Sequence, residues 1–287
     1  MTIPVLPALL RSSLTFRSDV DNYLENLLPT WAAAIAAGMR EKLTAAMTIY
    51  VSVGGFDSVN SGGISTPYAT MQAAIDRACS YDLGLYDLTI QCDAGTRTEG
   101  VTLRKYVTGG GVIIIKGDTT TPANCLMSCT SQSCFSADGQ MEYRIEGFKL
   151  QTTTSGYGVL ANSMAKINLG AMTYGACAND HIYALNGAVI GTIANYTITG
   201  GATSHLNASS GGIITDAGRT VTITGTPAFG TAYAKADKGS IMSLEGNTYS
   251  GSATGLKYIV NTNAVVSSGV TLPGGTAGTT ATGGQYA

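Results

Sequence analysis

The chain has 287 residues and a formal net charge of −2, and charged residues make up only 12% of it, about half of what an ordinary soluble domain carries. Its hydrophobic content of 44% excludes disorder of the charge-rich, apolar-poor kind, and the near-neutral balance leaves no basic footprint for nucleic acid. No stretch approaches the roughly 18 consecutive apolar residues of a membrane-crossing helix. Arg11 follows the Leu9-Leu10 pair instead of preceding it, so no secretory signal is expected and synthesis in a cytoplasm is.

Residues 1–48 read as a helical head. Val20, Tyr23, Leu24, Leu27 and Leu28 fall at i, i+3, i+4, i+7 and i+8, with Ser18 placed to cap and Asp21 in the first turn. Pro29 interrupts this row, and a second follows at Trp31, Ile35, Met39, Leu43 and Met47, supported by Ala32, Ala33, Ala36 and Ala37. Two short helices cannot bury such faces alone, so they are expected to pack on copies of themselves or on a docking partner. The alternative is a helix folded back on its own body.

From Ile49 the pattern changes to strand, with Ile49-Tyr50-Val51-Ser52-Val53 followed by a turn containing Gly54, Gly55 and Asp57. A single helix is expected near 67–80, with Pro67 in its first turn and an apolar side of Met71, Ala74, Ile75 and Ala78. Beyond it, strands such as Leu88-Thr89-Ile90, Gly111 to Ile115 and Val221-Thr222-Ile223 alternate with Gly, Asn, Ser and Thr turns.

A long repeat runs through this region. With Ile167, Val189, Ile213, Ile241 and Val265 as anchors, the spacings are 22, 24, 28 and 24 residues. Seven residues before them stand Leu160, Ile182, Leu206, Ala234 and Tyr258; five before, Asn162, Ala184, Ala208, Ala236 and Val260; two before, Ala165, Gly187, Gly211, Gly239 and Asn263. Ile90, Ile114 and Met141 extend the series backward, implying eight windings. A helix-free period near 25 predicts an all-β parallel solenoid over 49–272, in which apolar positions pile up at the ~4.8 Å strand spacing and Thr, Ser and Asn cover the outside. An antiparallel sandwich with chance spacing is the competing architecture. The Gly/Thr-rich stretch 273–287 reads as a tail.

The segment Ile49 to Val53, then Gly55-Phe56-Asp57-Ser58, Gly62-Gly63 and Thr66-Pro67-Tyr68-Ala69-Thr70-Met71-Gln72-Ala73-Ala74-Ile75-Asp76, resembles the opening of right-handed, single-stranded parallel β-helix proteins of the pectate-lyase-like superfamily, frequent in bacteriophage tail spikes and tail fibres. The head around Phe16 to Pro29 and the tail from Pro273 to Tyr286 are similar to the ends of phage tail-associated proteins. The resemblance implies a capping helix over the first coil, a homotrimer and a virion location. It also implies N-terminal attachment to tail, baseplate or neck proteins, and display for host-surface recognition, with a glycan as the expected partner. A polysaccharide depolymerase and a neck or head fibre without receptor role are the alternatives.

Glycan hydrolysis needs two carboxyl groups at a set separation, and the candidates are Asp138, Glu142, Glu146, Asp180, Asp216, Asp237 and Glu245. Asp216 and Glu245 are expected near one edge on adjacent coils, although Arg219, Lys235 and Lys238 nearby favour plain surface charge. Tyr174, Tyr196 and Tyr249 follow their anchors by seven or eight residues and suggest a ladder. Exposed, such rings suit sugars or interfaces; inward, they are stacked core. His181 and His205 are expected in turns. Cys125, Cys129 and Cys134 cluster without a zinc spacing, which leaves disulfides formed outside the cell or buried thiols, and no metal or cofactor is expected. Asn195-Tyr196-Thr197 and Asn207-Ala208-Ser209 fit the glycosylation spacing but are read as turn and strand residues.

Overall fold

The computed structural model describes residues 40–58, 61–104 and 109–287. The chain divides into two compact units, Met1–Lys42 and Leu43–Ala287. Val20, Tyr23, Leu24, Leu27, Leu28, Trp31 and Ile35, the expected attachment helices, lie outside the described residues. Met47, assigned from sequence to the second helical row, instead begins the strand Met47–Val51, the first of the body.

The second unit is a right-handed, single-stranded parallel β-helix. Three sheets form it, and successive strands within each belong to successive windings. The first has ten strands from Met47–Val51 to Gln285–Tyr286, the second seven from Gly95–Arg97 to Thr248–Ser250, and the third eight from Val101–Leu103 to Thr279–Thr280. Residues 273–287 are therefore no free tail: Thr279–Thr280 pairs with Ile259 and Val260, and Gln285–Tyr286 with Val265 and Val266.

Side chains alternate inward and outward along each strand, and the register turns this alternation into columns. In the third sheet Val159, Ile182, Leu206, Ala234 and Tyr258 lie over one another, as do Ala161, Ala184, Ala208, Ala236 and Val260. The repeat placed Leu160 and Asn162 at the head of these columns, one residue late. The same slip affects the anchors. Val189, Ile213, Ile241 and Val265 do stack, but Lys166 and not Ile167 lies beneath them, and the column faces outward, with Ile241 49% and Val265 36% exposed. The inward column is Tyr143, Ile167, Ile190, Ile214, Met242 and Val266, all fully buried. A shift of one residue exchanges the two faces of a strand. Here Val189-Ile190, Ile213-Ile214 and Val265-Val266 are apolar on both faces, so the pattern alone does not choose between them. The earlier anchors share no column: Ile90 pairs with Ile115, Ile114 with Arg144, and Met141 precedes its strand.

The repeated glycines have a conformational cause. Between the third and first sheets the chain turns through two successive left-handed residues, Asn186-Gly187, Ser210-Gly211 and Lys238-Gly239, a backbone that glycine adopts at least cost.

The helix α1 (Met71–Ala78) buries Met71, Ala74, Ile75 and Ala78, the face expected from sequence. It starts later than Pro67 suggests, because Thr70 is the cap, its Oγ1 accepting from Ala73 N. Asp57 fixes that cap: its Oδ1 accepts from the backbone N–H groups of Ala69 and Thr70, and its Oδ2 from Thr70 Oγ1 at 2.8 Å. The Gly-Phe-Asp turn thus positions the helix against the first windings.

Candidate functional site

Two polar clusters lie in the middle windings, one inside the coil and one on its outer face. The inner one collects the three tyrosines, the two histidines and Asp216 from among the sequence candidates. Tyr174 and Tyr196 are buried and Tyr249 is half-buried, so the inward alternative describes them and Tyr174 and Tyr196 offer no surface to a sugar. They form only part of a ladder: Tyr196, Val221 and Tyr249 share a column, while Tyr174 stacks with Leu150 and Ile198. His181 and His205 are also fully buried. His205 lies in the strand Ala202–Ser209 and His181 immediately precedes Ile182–Leu185. Both were expected in turns, but the register aligns them and packs their rings against Tyr174, Tyr233 and Phe229.

These groups form one hydrogen-bonded chain. His181 Nε2 donates to the Gly175 carbonyl at 2.7 Å, because a carbonyl can only accept. Burial holds the His181 pKa down to about 4 and also lowers that of His205 well below its ordinary 6.5, so both rings are neutral. His181 Nδ1 must then accept from His205 Nδ1 at 3.0 Å, which leaves His205 Nε2 as the acceptor facing Tyr196 OH at 3.0 Å. Tyr196 has one proton for two acceptors, since Asp216 Oδ2 lies 2.8 Å away. Burial pushes the Asp216 carboxyl up to about 6. Once protonated, Asp216 donates to Tyr196, Tyr196 donates to His205, and every link is satisfied. Thr192 Oγ1 at 2.5 Å and Asn247 Nδ2 at 3.2 Å complete the carboxyl's surroundings. The cluster is closed: it specifies register and has no access for a substrate.

Asp216 and Glu245, placed from sequence near one edge on adjacent coils and read as surface charge, fall on opposite faces: Asp216 is buried and Glu245 exposed. The backbone of Asp216 pairs with Ser243, whereas Glu245 is exposed and accepts from Ser267 Oγ. Other candidate carboxylates are occupied. Glu142 pairs with Lys166 at 2.8 Å, Glu146 with Arg144 at 2.5 Å, and Asp138 accepts from Asn162 at 3.1 Å. Of the two alternatives for Cys125, Cys129 and Cys134, disulfides or buried thiols, the structure has buried thiols, and none of the six cysteines is in a disulfide. Cys125 and Cys134 donate to the carbonyls of Asp93 and Gln151; burial raises the Cys125 thiol, while a hydrogen bond between Cys129 and Cys134 raises Cys134, together with burial, and lowers Cys129. Among the described residues no three His, Cys, Asp or Glu side chains converge as a metal site would.

The outer cluster occupies the third sheet. Leu160, Tyr183, Asn207, Lys235 and Ile259 form its outward column, and Leu185, Ser209 and Asp237 follow two residues along. Tyr157 sits beside Tyr183 with ring centroids 5.2 Å apart, tilted by 40°, and both rings are half-buried. Tyr183 is hydrogen-bonded to Ser209 and Tyr157 to Asn179, and burial raises both phenols. Asp180, only 4% exposed, accepts from Asn207 Nδ2 at 2.8 Å; burial raises its carboxyl while Lys235 opposes the shift. Lys235 Nζ lies 3.9 Å from Asp237 Oδ2. Asn207 Oδ1 and Asp237 Oδ1 are covered and accept no hydrogen bond. Here an aromatic platform adjoins carboxylates, an amide and an ammonium on a surface that solvent reaches.

Sequence reasoning missed this face although its signal was present: Tyr183, Asn207, Lys235 and Ile259 stand six residues before the anchors Val189, Ile213, Ile241 and Val265, between the two apolar columns. No family model, no curated protein and no solved structure matches the chain.

Proposed function

We propose that the protein is a homotrimeric tail fibre or tail spike component of a bacteriophage, whose β-helix is displayed for recognition of a host-surface glycan. The observation that carries this reading is the outer face of the third sheet, where the half-buried Tyr157–Tyr183 pair lies beside Asn207, Lys235 and Asp237. Tyrosine rings present flat apolar faces to a pyranose and hydroxyls to its rim, and a rigid sheet holds such groups in fixed geometry. Trimer formation is supported by the outward column of the first sheet: Ile241 and Val265 are exposed, and Thr215, Ser243 and Ser267 flank the column without charge. An apolar row on a flat sheet invites covering by another chain. Attachment to other tail or neck proteins is assigned to the N-terminal residues.

The test combines sedimentation of the purified full chain with binding to surface polysaccharide from candidate hosts. The reading predicts a trimeric mass and saturable binding that Tyr183→Ala weakens about tenfold without changing the melting temperature. A monomer that binds no envelope preparation would refute it.

A depolymerase is the second reading, and one observation favours it. Asp180 and Asp237 both lie close enough to raise the Tyr183 phenol, and on this outer face burial raises the Asp180 carboxyl, the environment of a general acid. New reducing ends, released over time and lost in Asp237→Asn, would establish cleavage.

A further inference from the structure

We infer that the face built by Tyr157, Tyr183, Asn207, Lys235 and Asp237 takes a neutral, hydroxyl-rich saccharide and rejects a carboxylated one; this rests on the recognition reading and specifies its ligand. Asn207 is only 6% exposed yet leaves Oδ1 without a hydrogen-bond partner. Its amide cannot turn to hide that oxygen. The NH2 group is committed to the Asp180 carboxylate at 2.8 Å, and a carboxylate accepts where the amide oxygen would not donate. Asp237 Oδ1 is a second covered acceptor without a partner, on the neighbouring outward column. A covered acceptor left unmade is costly and is rare in folded proteins, so a ligand whose binding uncovers these oxygens is favoured when it brings donors.

Charge narrows the choice. Asp180 and Asp237 both face Lys235, whose ammonium is already 3.9 Å from Asp237. A sugar carboxylate would meet repulsion and would offer acceptors to acceptors, a penalty on the wrong partner as well as a preference for the right one. Hydroxyl groups supply donors without charge. The Tyr157 and Tyr183 rings, 5.2 Å apart, supply the apolar platform on which the C–H face of a neutral pyranose rests.

The experiment is calorimetric titration of the full chain with two sets of oligosaccharides of equal length. One set contains oligomers of glucose, galactose, mannose and rhamnose; the other contains oligomers of galacturonate and mannuronate. At least one neutral series is expected to bind, with the carboxylated series at least about tenfold weaker. Tyr183→Ala should lower the neutral affinity about tenfold, and Asp237→Asn should narrow the gap between the two sets severalfold, with unchanged thermal unfolding in both variants. Equal or tighter binding of the carboxylated set would overturn this inference and leave the recognition reading standing. So would neutral binding indifferent to Tyr183→Ala, which would move the site elsewhere. Failure of every saccharide to bind would overturn both.

Discussion

The inner and outer clusters are made from the same residue types, tyrosine, aspartate and asparagine, in the same windings, and they do opposite things. Inside, Asp216, Tyr196, His205 and His181 lie in an unbroken chain ending on the Gly175 carbonyl, with the buried Tyr174 and Tyr233 hydroxyls beside it as the unpartnered groups of that cluster. Outside, Asn207 and Asp237 keep acceptors without partners beside two half-exposed rings. Residue type therefore does not separate structure from recognition in a solenoid. The face on which a residue falls does, and one step along the strand decides it.

The largest effect that would break this contrast is on stability. Asp216→Ala takes the shared acceptor from Tyr196, Thr192 and Asn247 and should cost about 3–5 kcal/mol in urea unfolding. Asp237→Ala, on the outer face, should stay within about 0.5 kcal/mol. Equal costs would mean that the two clusters are not distinct.

Acidity sharpens the contrast next. The Asp216 carboxyl titrates at about 6 in the fold against an ordinary 3.8, so its contribution is complete below pH 3.8 and is lost as pH rises through 6. His181 is lowered from 6.5 to about 4, so its contribution is complete above pH 6.5 and is lost as pH falls through 4. Each is worth on the order of 3 kcal/mol, and over the shared interval they oppose one another. His205 and Asp180 also titrate out of their ordinary ranges, and both variants share their contribution with the unmodified chain. Measured against that chain between pH 6 and 4, Asp216→Asn should lose more stability on acidification and His181→Gln less. Parallel slopes in the two variants would contradict the wiring of the chain.

Binding gives a smaller signal. Tyr183→Ala should weaken host polysaccharide binding about tenfold, equivalent to about 1.4 kcal/mol, while Tyr196→Phe, inside the coil, should leave the affinity unchanged. The smallest expected effect is none at all: a thiol reagent should leave the buried Cys92, Cys125, Cys129, Cys134 and Cys177 unmodified in the folded protein. Rapid labelling of any of these five would show that the interior opens.

Much of the architecture is legible in the sequence. The face of α1 follows from its spacing, and the winding length follows from the recurrence of Val189, Ile213, Ile241 and Val265. What periodicity does not supply is the sign of a column. Val189 and Ile190 are equally apolar, and only the register to Lys166 and Ile167 shows which one looks inward. The inner cluster is hidden for a different reason: Asp216 reads as surface charge until its partners Thr192, Tyr196 and Asn247 arrive from other windings. Charge and hydroxyl content predict exposure in ordinary domains, and a coil that closes a hydrogen-bonded chain inside itself defeats that rule. The outer site has no signature in the hydrophobic columns; the polar column between them, Tyr183, Asn207 and Lys235, marks it.

Hydroxyl-radical footprinting of the native protein, with and without host polysaccharide, tests the division of faces most directly. Tyr157 and Tyr183 should be oxidised readily and become protected by the polysaccharide, while Tyr174, Tyr196 and Tyr233 stay unreactive in both conditions. Oxidation of the inner tyrosines at the rate of Tyr183, or a Tyr183 indifferent to the glycan, would contradict the account.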